Sequence, residues 1–360
     1  MRLLIAGGGT GGHIYPGVAV ARAWLRGGAD NQVLFVGTAR GLEARVLPRE
    51  GLPFETIAAA GLIGRSIGQQ IAAAARMAWG FIQSLGLVGR FRPNVVLGLG
   101  GYASAPAVMA SWVRRRPVVL LEPNTVPGMA NRFLSRLARR VAVSLPGAAA
   151  AFPAGKTVET GLPLREEFAS APPRGDGFWE GPLRVLIFGG SQGARAINEA
   201  VMEALPRLAE IPGGIRIVHQ TGEADLERVR AAYKAAEAGA GAGADAAPYL
   251  HDMAERYRWA HLAVARAGAV TVAELGAAGL PSILIPLPSA THGHQEANAR
   301  YMVDRGGARM ILQAELSGER LAGSLAEMGK DRAALAAMAE RARTTFETDP
   351  SEAVAALCRS

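Results

Sequence analysis

The chain has 360 residues, 49% of them hydrophobic and 19% charged, and its 39 basic and 31 acidic side chains leave a formal net charge of +8. That length accommodates two domains with separate cores, and the positive balance favours anionic partners. Aromatic residues make up only 6% and no basic run is interleaved with them, which argues against nucleic acid, and a single cysteine, Cys358, excludes a disulfide framework or a cysteine metal site within one chain.

In the first half, short apolar runs alternate with helical patterns. Strands are expected at 2–6, 32–37, 95–99, 117–121 and 141–144, and helices at 16–26, 40–50, 66–90, 103–114 and 128–138. Met1-Arg2 and four apolar residues run straight into glycines. This start is read as a first strand, too short for a signal-peptide core, and the chain as cytoplasmic. The most apolar stretch, 77–89, falls short of the ~20 residues a spanning helix needs. In the second half, strands are expected at 183–188, 215–219, 262–265 and 282–286, and helices at 194–208, 223–237, 252–258, 270–278 and 293–305. This alternation implies an α/β protein with parallel sheets covered by helices on both faces. The expected division is an N-terminal domain at 1–160, a Pro/Gly-rich linker at 161–182 and a C-terminal domain at 183–340. The alanine- and glycine-rich stretch 235–247 reads as a surface loop. The last segment, 330–358, has a helical pattern, and its end, 341–360, is a candidate for folding back on the N-terminal domain.

Two glycine-rich loops open the two halves, GGGTGGHIYP at 7–16 and GGSQGA at 189–194. Each follows an apolar strand and precedes a helix. Glycines let backbone N–H groups approach a ligand, and the helix start favours an anion. Two such loops imply two Rossmann-like domains facing a shared cleft. Gly7-x-Gly9-x-x-Gly12 fits the dinucleotide fingerprint, but the second strand, ending Val36-Gly37-Thr38-Ala39-Arg40, carries no acid for a ribose before Glu43. NAD is therefore not expected. His13 follows the first loop, just before Pro16 opens the helix, and a helix start keeps an imidazole neutral and able to accept a proton.

A further glycine cluster at 98–106, with Gly100, Gly101, Tyr102 and Ser104, offers either backbone donors for an acceptor or phosphate, or a tight turn. Glu122-Pro123-Asn124 ends the next strand, and Asn131 stands seven residues after Asn124. The two Asn converge if the helix begins early; a turn about Pro123 and Pro127 is the alternative. After the strand at 262–265, Gly268 permits a sharp turn. Glu274 then lies one turn inside the next helix, where it can accept two hydrogen bonds from a ribose diol or sit as a solvated helix-start acid. Gln295 and Asn298, spaced i, i+3, suit sugar hydroxyls. His292 and His294 have no acid-rich ligand set nearby, so no metal is expected.

Together GGGTGGH at 7–13, GLGGYASAP at 98–106, GGSQGA at 189–194, ARAGAVTVAEL at 265–275 and HQEANA at 294–299 resemble the MurG family. These peripheral-membrane glycosyltransferases add N-acetylglucosamine to lipid I, making lipid II for peptidoglycan. The likeness covers nearly the whole chain. It departs at Pro123, where the family usually has Gln, and at His292, where it commonly has Asp or a similar polar residue. The resemblance implies the GT-B fold, with the lipid I acceptor bound by the N-terminal domain and UDP-GlcNAc by the C-terminal one. It implies inversion at the anomeric carbon, attack by the 4-hydroxyl of the muramyl sugar, and no cofactor or metal.

By the same resemblance Ser191 and its loop hold the donor diphosphate, the Leu250 backbone faces the uracil and Glu274 the ribose. Gln295 and Asn298 face the donor sugar, and Arg165 matches another donor-side position. Ala269, Val270 and Thr271, which lead into Glu274, are counted with the substrate-binding residues, as is Asn131. Thr10, Gly11, Gly12, His13 and Asn124 line the cleft opposite, with His13 the expected catalytic base and Glu122 its competitor if burial raises its pKa.

The expected location is the cytoplasmic face of the cell membrane. Within 66–92, Ile67, Ile71, Met77, Trp79, Phe81, Ile82, Leu85 and Leu87 stand beside Arg65, Arg76, Arg90 and Arg92, which suits an anionic lipid surface. A core helix with a solvated edge would show the same pattern. The rival readings are another GT-B glycosyltransferase with a lipid-linked acceptor, a GT-B sugar-nucleotide epimerase, and a non-catalytic sugar-nucleotide-binding subunit.

Overall fold

The computed structural model describes residues 1–9, 11–61, 66–169, 174–175, 177–208, 211–240, 243–290, 293–344 and 349–360. Thr10, Arg65 and His292 lie outside them. In chain order the elements begin β1 (Arg2–Ala6), α1 (Gly11–Arg26), β2 (Gln32–Gly37), α2 (Glu43–Arg49), β3 (Phe54–Thr56), α3 (Ile67–Phe91) and β4 (Val95–Gly98). They continue α4 (Ala105–Val113), β5 (Val118–Glu122), α5 (Met129–Leu134), β6 (Arg140–Val143), β7 (Thr157–Glu159) and a single turn, α6 (Glu166–Ala169). The second half holds β8 (Leu183–Phe188), α7 (Arg195–Leu208), β9 (Ile215–Gln220), α8 (Leu226–Ala240), β10 (Gly243–Ala247), α9 (Met253–Trp259) and β11 (Leu262–Ala265). It ends with α10 (Ala269–Ala277), β12 (Ser282–Leu284), α11 (His294–Asp304), β13 (Ala308–Met310), α12 (Gly318–Lys330), α13 (Arg332–Thr344) and α14 (Pro350–Arg359). These elements form two units, Met1–Glu166 with Thr348–Ser360, and Glu167–Glu347.

The first unit is a seven-stranded parallel sheet in the order β3-β2-β1-β4-β5-β6-β7. Its central strands are continuous apolar runs because both faces are covered. Along β1 the side chains alternate. Leu3 and Ile5 meet Val18 and Trp24 of α1 and Val354, Ala355 and Cys358 of α14, whereas Leu4 and Ala6 meet Leu87 and Val88 of α3 and Val108 of α4. Asp349 caps α14 by accepting from the Ser351 and Glu352 N–H groups, and Pro350 pre-sets its first turn. The chain reverses direction across the sheet between β1 and β4. The loops that follow those two strands diverge there, which is where open α/β sheets receive ligands.

The second unit repeats the plan in six parallel strands, β10-β9-β8-β11-β12-β13, with its reversal between β8 and β11. Val185, Ile187, Val264 and Ile283 pack against Ile197 and Val201 of α7 and Leu321 and Leu325 of α12.

Several local expectations change. Helix α1 starts at Gly11, so Pro16 lies inside it and His13 falls in its first turn. A proline has no N–H, so the Gly12 carbonyl receives no bond from position 16. The 235–247 stretch is not a loop: alanine carries α8 on to Ala240, and Gly243–Ala247 forms an edge strand on β9. The 330–358 pattern divides into α13 and α14, which belong to different units. The stretch 77–89 is part of α3, whose 25 residues are long and apolar enough to cross a membrane by length and composition. In the structure Ala73, Gly80, Ser84, Leu87 and Val88 of that helix are buried, and Gly80 must be glycine because a Cβ would strike the Ala58 carbonyl.

Candidate active site

At the carboxyl end of the first sheet, Gly7, Gly8 and Gly9 lead out of β1, with Gly9 at φ +91°. Glu43 of α2 lies beneath this loop, fully shielded from solvent. Its Oε2 accepts the Gly9 N–H at 2.7 Å, and its Oε1 accepts the Thr38 N–H at 2.8 Å and the Thr38 hydroxyl at 2.9 Å. The acid that stood too far along to serve a ribose is thus turned inward, onto the protein.

Beside that loop runs the one after β4. A Cβ at Gly101 would stand 3.4 Å from the Gly8 carbonyl and 3.7 Å from His13 Cδ2, and one at Gly100 would stand 3.0 Å from Asn131 Nδ2. Gly100 and Gly101 adopt φ of +90° and +71°, conformations that glycine alone takes without strain. The buried Ser104 hydroxyl donates to the Gly101 carbonyl at 2.9 Å, while Tyr102 is exposed. His13, Gly11 and Gly12 are half-buried. Arg165 belongs to this unit, its guanidinium 4.6 Å from the centre of the Tyr15 ring.

Glu122, at the end of β5, is 1% exposed. Its Oε1 accepts from the Asn124 N–H at 3.0 Å and the Asn124 amide at 3.3 Å, and its Oε2 from the Gly128 N–H at 3.2 Å and the Asn131 amide at 3.0 Å. Burial raises the carboxyl above its ordinary value, and these four donors oppose that rise. The two Asn do converge, on one carboxylate. Asn124 stands in the turn that carries Pro123, ahead of α5, so a turn and not an early helix brings them together. Asn131 also donates to the Leu121 carbonyl at 2.9 Å.

In the second unit the loop after β8 lies backbone to backbone on the turn after β9. A Cβ at Gly193 would strike the Thr221 carbonyl, and one at Gly222 the Gln192 carbonyl. Ser191 is exposed just before the positive end of α7. Gln220, which sequence reasoning passed over, ties the parts together: its Nε2 donates to the Gly190 carbonyl at 2.9 Å and its Oε1 accepts the Leu250 N–H at 2.9 Å. With that N–H occupied, the backbone group that Leu250 can offer a base is its carbonyl.

Glu274 of α10 is 9% exposed and accepts from the Tyr257 hydroxyl at 3.2 Å. Tyr257 is itself held between the rings of Phe168 and Phe188. Ala269, Val270 and Thr271 form the half-buried first turn of α10 after Gly268. Gln295 Oε1 accepts from the Leu287 N–H at 3.0 Å and the Ala267 N–H at 3.3 Å, and the fully buried Asn298 donates to the Ala267 carbonyl at 3.2 Å. The i, i+3 pair shares a face, and that face grips the loop leading to Glu274. Arg266 donates to the Ile285 and Pro286 carbonyls and to Gln313 at 2.7 Å, and burial lowers its pKa.

Behind the loop, His219 of β9 joins Tyr233 of α8 at 2.8 Å through Nδ1 and Asn198 of α7 at 3.0 Å through Nε2. Asn198 in turn donates to the Thr221 carbonyl at 2.9 Å. Burial pushes the His219 pKa down to about 3. No spacing in the chain marks Glu43, Gln220, Tyr257 or His219, because each acts on a partner chosen by the packing.

Comparison with known proteins gives the family. The N-terminal domain model of glycosyltransferase family 28 matches residues 3–143, and its C-terminal domain model residues 184–354. A Geobacter sulfurreducens protein named UDP-N-acetylglucosamine–N-acetylmuramyl-(pentapeptide) pyrophosphoryl-undecaprenol N-acetylglucosamine transferase is 45% identical over 358 residues, 98% of this chain and 97% of its own. The crystal structure of Acinetobacter baumannii MurG superposes with a TM-score of 0.81 at 31% identity, covering 99% of each chain. A UDP-GlcNAc 2-epimerase from Neisseria meningitidis shares the fold alone, with a TM-score of 0.70 at 14% identity over 100% of each chain. With two Rossmann-like units of the GT-B class and 45% identity to such a transferase over nearly the whole length, the chain belongs to glycosyltransferase family 28 and, within it, to the MurG family.

Proposed function

We propose that this chain transfers N-acetylglucosamine from UDP-GlcNAc to the 4-hydroxyl of the muramyl sugar of lipid I, giving lipid II and UDP in peptidoglycan synthesis. The observation that carries the reading on the donor side is in the second unit. There an exposed Ser191 loop at the start of α7 accompanies an almost buried carboxylate, Glu274, braced by Tyr257. An anion-binding helix start and a carboxylate for a diol are what a nucleoside diphosphate sugar requires. On this reading Leu250 offers its carbonyl to the uracil and Gln295 faces the donor sugar, while the buried Asn298 sets the loop that leads to Glu274.

The transfer inverts the anomeric carbon and needs no metal. The acceptor oxygen bonds to C1 of the sugar as its proton passes to His13, and the bond from C1 to the diphosphate oxygen breaks with the electron pair leaving on UDP. Backbone donors of the Ser191 loop and the α7 start stabilise that charge. The position of His13, half-buried in the first turn of α1 beside Gly101, supports it as the base. Glu122, with four donors on its two oxygens, serves better as the hub that sets Asn124 and Asn131. The test is purified protein with labelled UDP-GlcNAc and a lipid I analogue. A β-linked labelled product, formed equally well with EDTA, is expected; an unlabelled acceptor or free sugar alone would refute the assignment.

The first unit docks on the cytoplasmic face of an anionic membrane. Supporting this, Ile67, Ile71, Trp79 and Ile82 of α3, Trp112 and Val113 of α4, and Met129 and Phe133 of α5 are exposed large hydrophobic side chains, and an apolar surface of that kind near arginines suits a lipid interface. Co-sedimentation should rise with the anionic lipid content of vesicles and fall with salt. Equal binding to neutral vesicles at high salt would contradict the electrostatic part.

A further inference from the structure

We propose that Glu43 is a positioning residue for the acceptor site, an internal strut that holds the first glycine loop in the shape that places His13. The inference rests on the transferase reading above. Three donors converge on the carboxylate, and two of them are backbone N–H groups, of Gly9 and Thr38. The socket is built from glycines. A Cβ at Gly37 would stand 2.8 Å from both Cγ and Oε1 of Glu43, and one at Gly8 or Gly41 would fall on the carboxylate itself. Gly37 and Gly41 do not have positive φ, so the carboxylate is what makes a side chain costly there.

In a dinucleotide-binding unit the glycine loop keeps its N–H groups for a phosphate, and an acid after the second strand reaches out to a ribose. Here the acid reaches under the loop and takes the Gly9 N–H for the protein. The loop becomes a fixed wall. Its Gly8 carbonyl and the His13 ring both border Gly101, where a Cβ would stand 3.4 Å from the one and 3.7 Å from the other. A small shift of the loop therefore shifts the base, and displacements on the order of 1 Å cost catalysis heavily.

Glu43→Gln keeps the volume but must turn an NH₂ group toward an N–H donor. In full-length protein it should lower kcat/KM for a soluble lipid I analogue roughly ten- to a hundredfold. The KM for UDP-GlcNAc and the calorimetric affinity for UDP should hold, because those contacts lie in the second unit. Hydrogen–deuterium exchange should quicken across residues 7–13. Gly41→Ala should reproduce the loss alone and add nothing in a Glu43→Ala background, where the socket is empty. Thr38→Val, which removes only the hydroxyl donor, should show the same split on a smaller scale and serves if Glu43 variants do not fold. Intact acceptor kinetics in folded Glu43→Gln, equal losses toward both substrates, or additive effects of Gly41→Ala would each overturn the proposal. The exchange measurements need no turnover. A wild-type chain that fails to transfer would therefore count against the transferase reading, and unchanged exchange against the strut.

Discussion

The glycine loops after β1 and β8 share the order strand, loop, helix and the same place at a point of sheet reversal, yet they are braced in different ways. The first rests on a buried side-chain anion, Glu43, which occupies the Gly9 N–H. The second rests on neutral groups, the Thr221–Gly222 backbone and the Gln220 amide, and leaves Ser191 exposed at the start of α7. An anion beneath a loop discourages a second anion above it; neutral braces leave the helix start free to attract one. On the readings proposed above, the same motif serves a shape-fixing task in one unit and diphosphate binding in the other.

The largest expected effect tests the division of labour. His13→Ala should lower turnover by roughly two to four orders of magnitude while UDP affinity stays intact. If that variant keeps its turnover and Glu122→Gln loses it, the base belongs to Glu122. Next, Glu274→Ala should weaken UDP binding tenfold or more, since each charge-assisted hydrogen bond contributes about 1.5–3 kcal/mol. Calorimetry showing unchanged affinity would mean that the ribose is held elsewhere. Gln220→Ala should raise the KM for UDP-GlcNAc and cost about 1–3 kcal/mol of stability for the Leu250 N–H left buried and unpaired. An unaltered urea midpoint would deny Gln220 its bridging role.

The last test concerns pH, and the two units should respond with opposite signs. His219 has a folded pKa near 3 against an ordinary 6.5, so the unfolded chain binds the extra proton between those values. The second unit should lose stability as pH falls through that window. Glu122 has a raised pKa, so the folded first unit binds the extra proton above the ordinary carboxylate value of 4.5, and its contribution falls as pH rises. Acidification from neutrality should therefore weaken the second unit through His219 and not the first through Glu122, and His219→Gln should flatten the dependence of the second. A melting temperature of the wild-type second unit that holds unchanged between pH 7 and pH 5 would count against it.

Most of the central strands and their following loops were legible in the chain, because an apolar run ended by glycines is a local signal. The short edge strands were not. β3, β7 and β13 have three residues each and β10 is Gly-Ala-Asp-Ala-Ala, so none carries a run of its own; each exists because a neighbouring strand offers a ladder of backbone partners. The site divided in the same way. His13, Glu122 and Ser191 stand beside turn-forming residues at element ends, and Glu274 follows the Gly268 turn into α10, so each could be picked out by position. What their neighbours do could not. Glu43 reaches back 34 residues to Gly9, and Gln220 spans 30 residues to Leu250 and 30 to Gly190.

By itself, then, the order of residues determined two parallel α/β units, with a glycine loop and a helix start at the reversal point of each, since strand, turn and helix signals act over a few residues. Only the tertiary structure decided which buried polar group braces each loop. A buried carboxylate or amide must find hydrogen-bond partners wherever the packing brings them, and those partners are far apart in the chain.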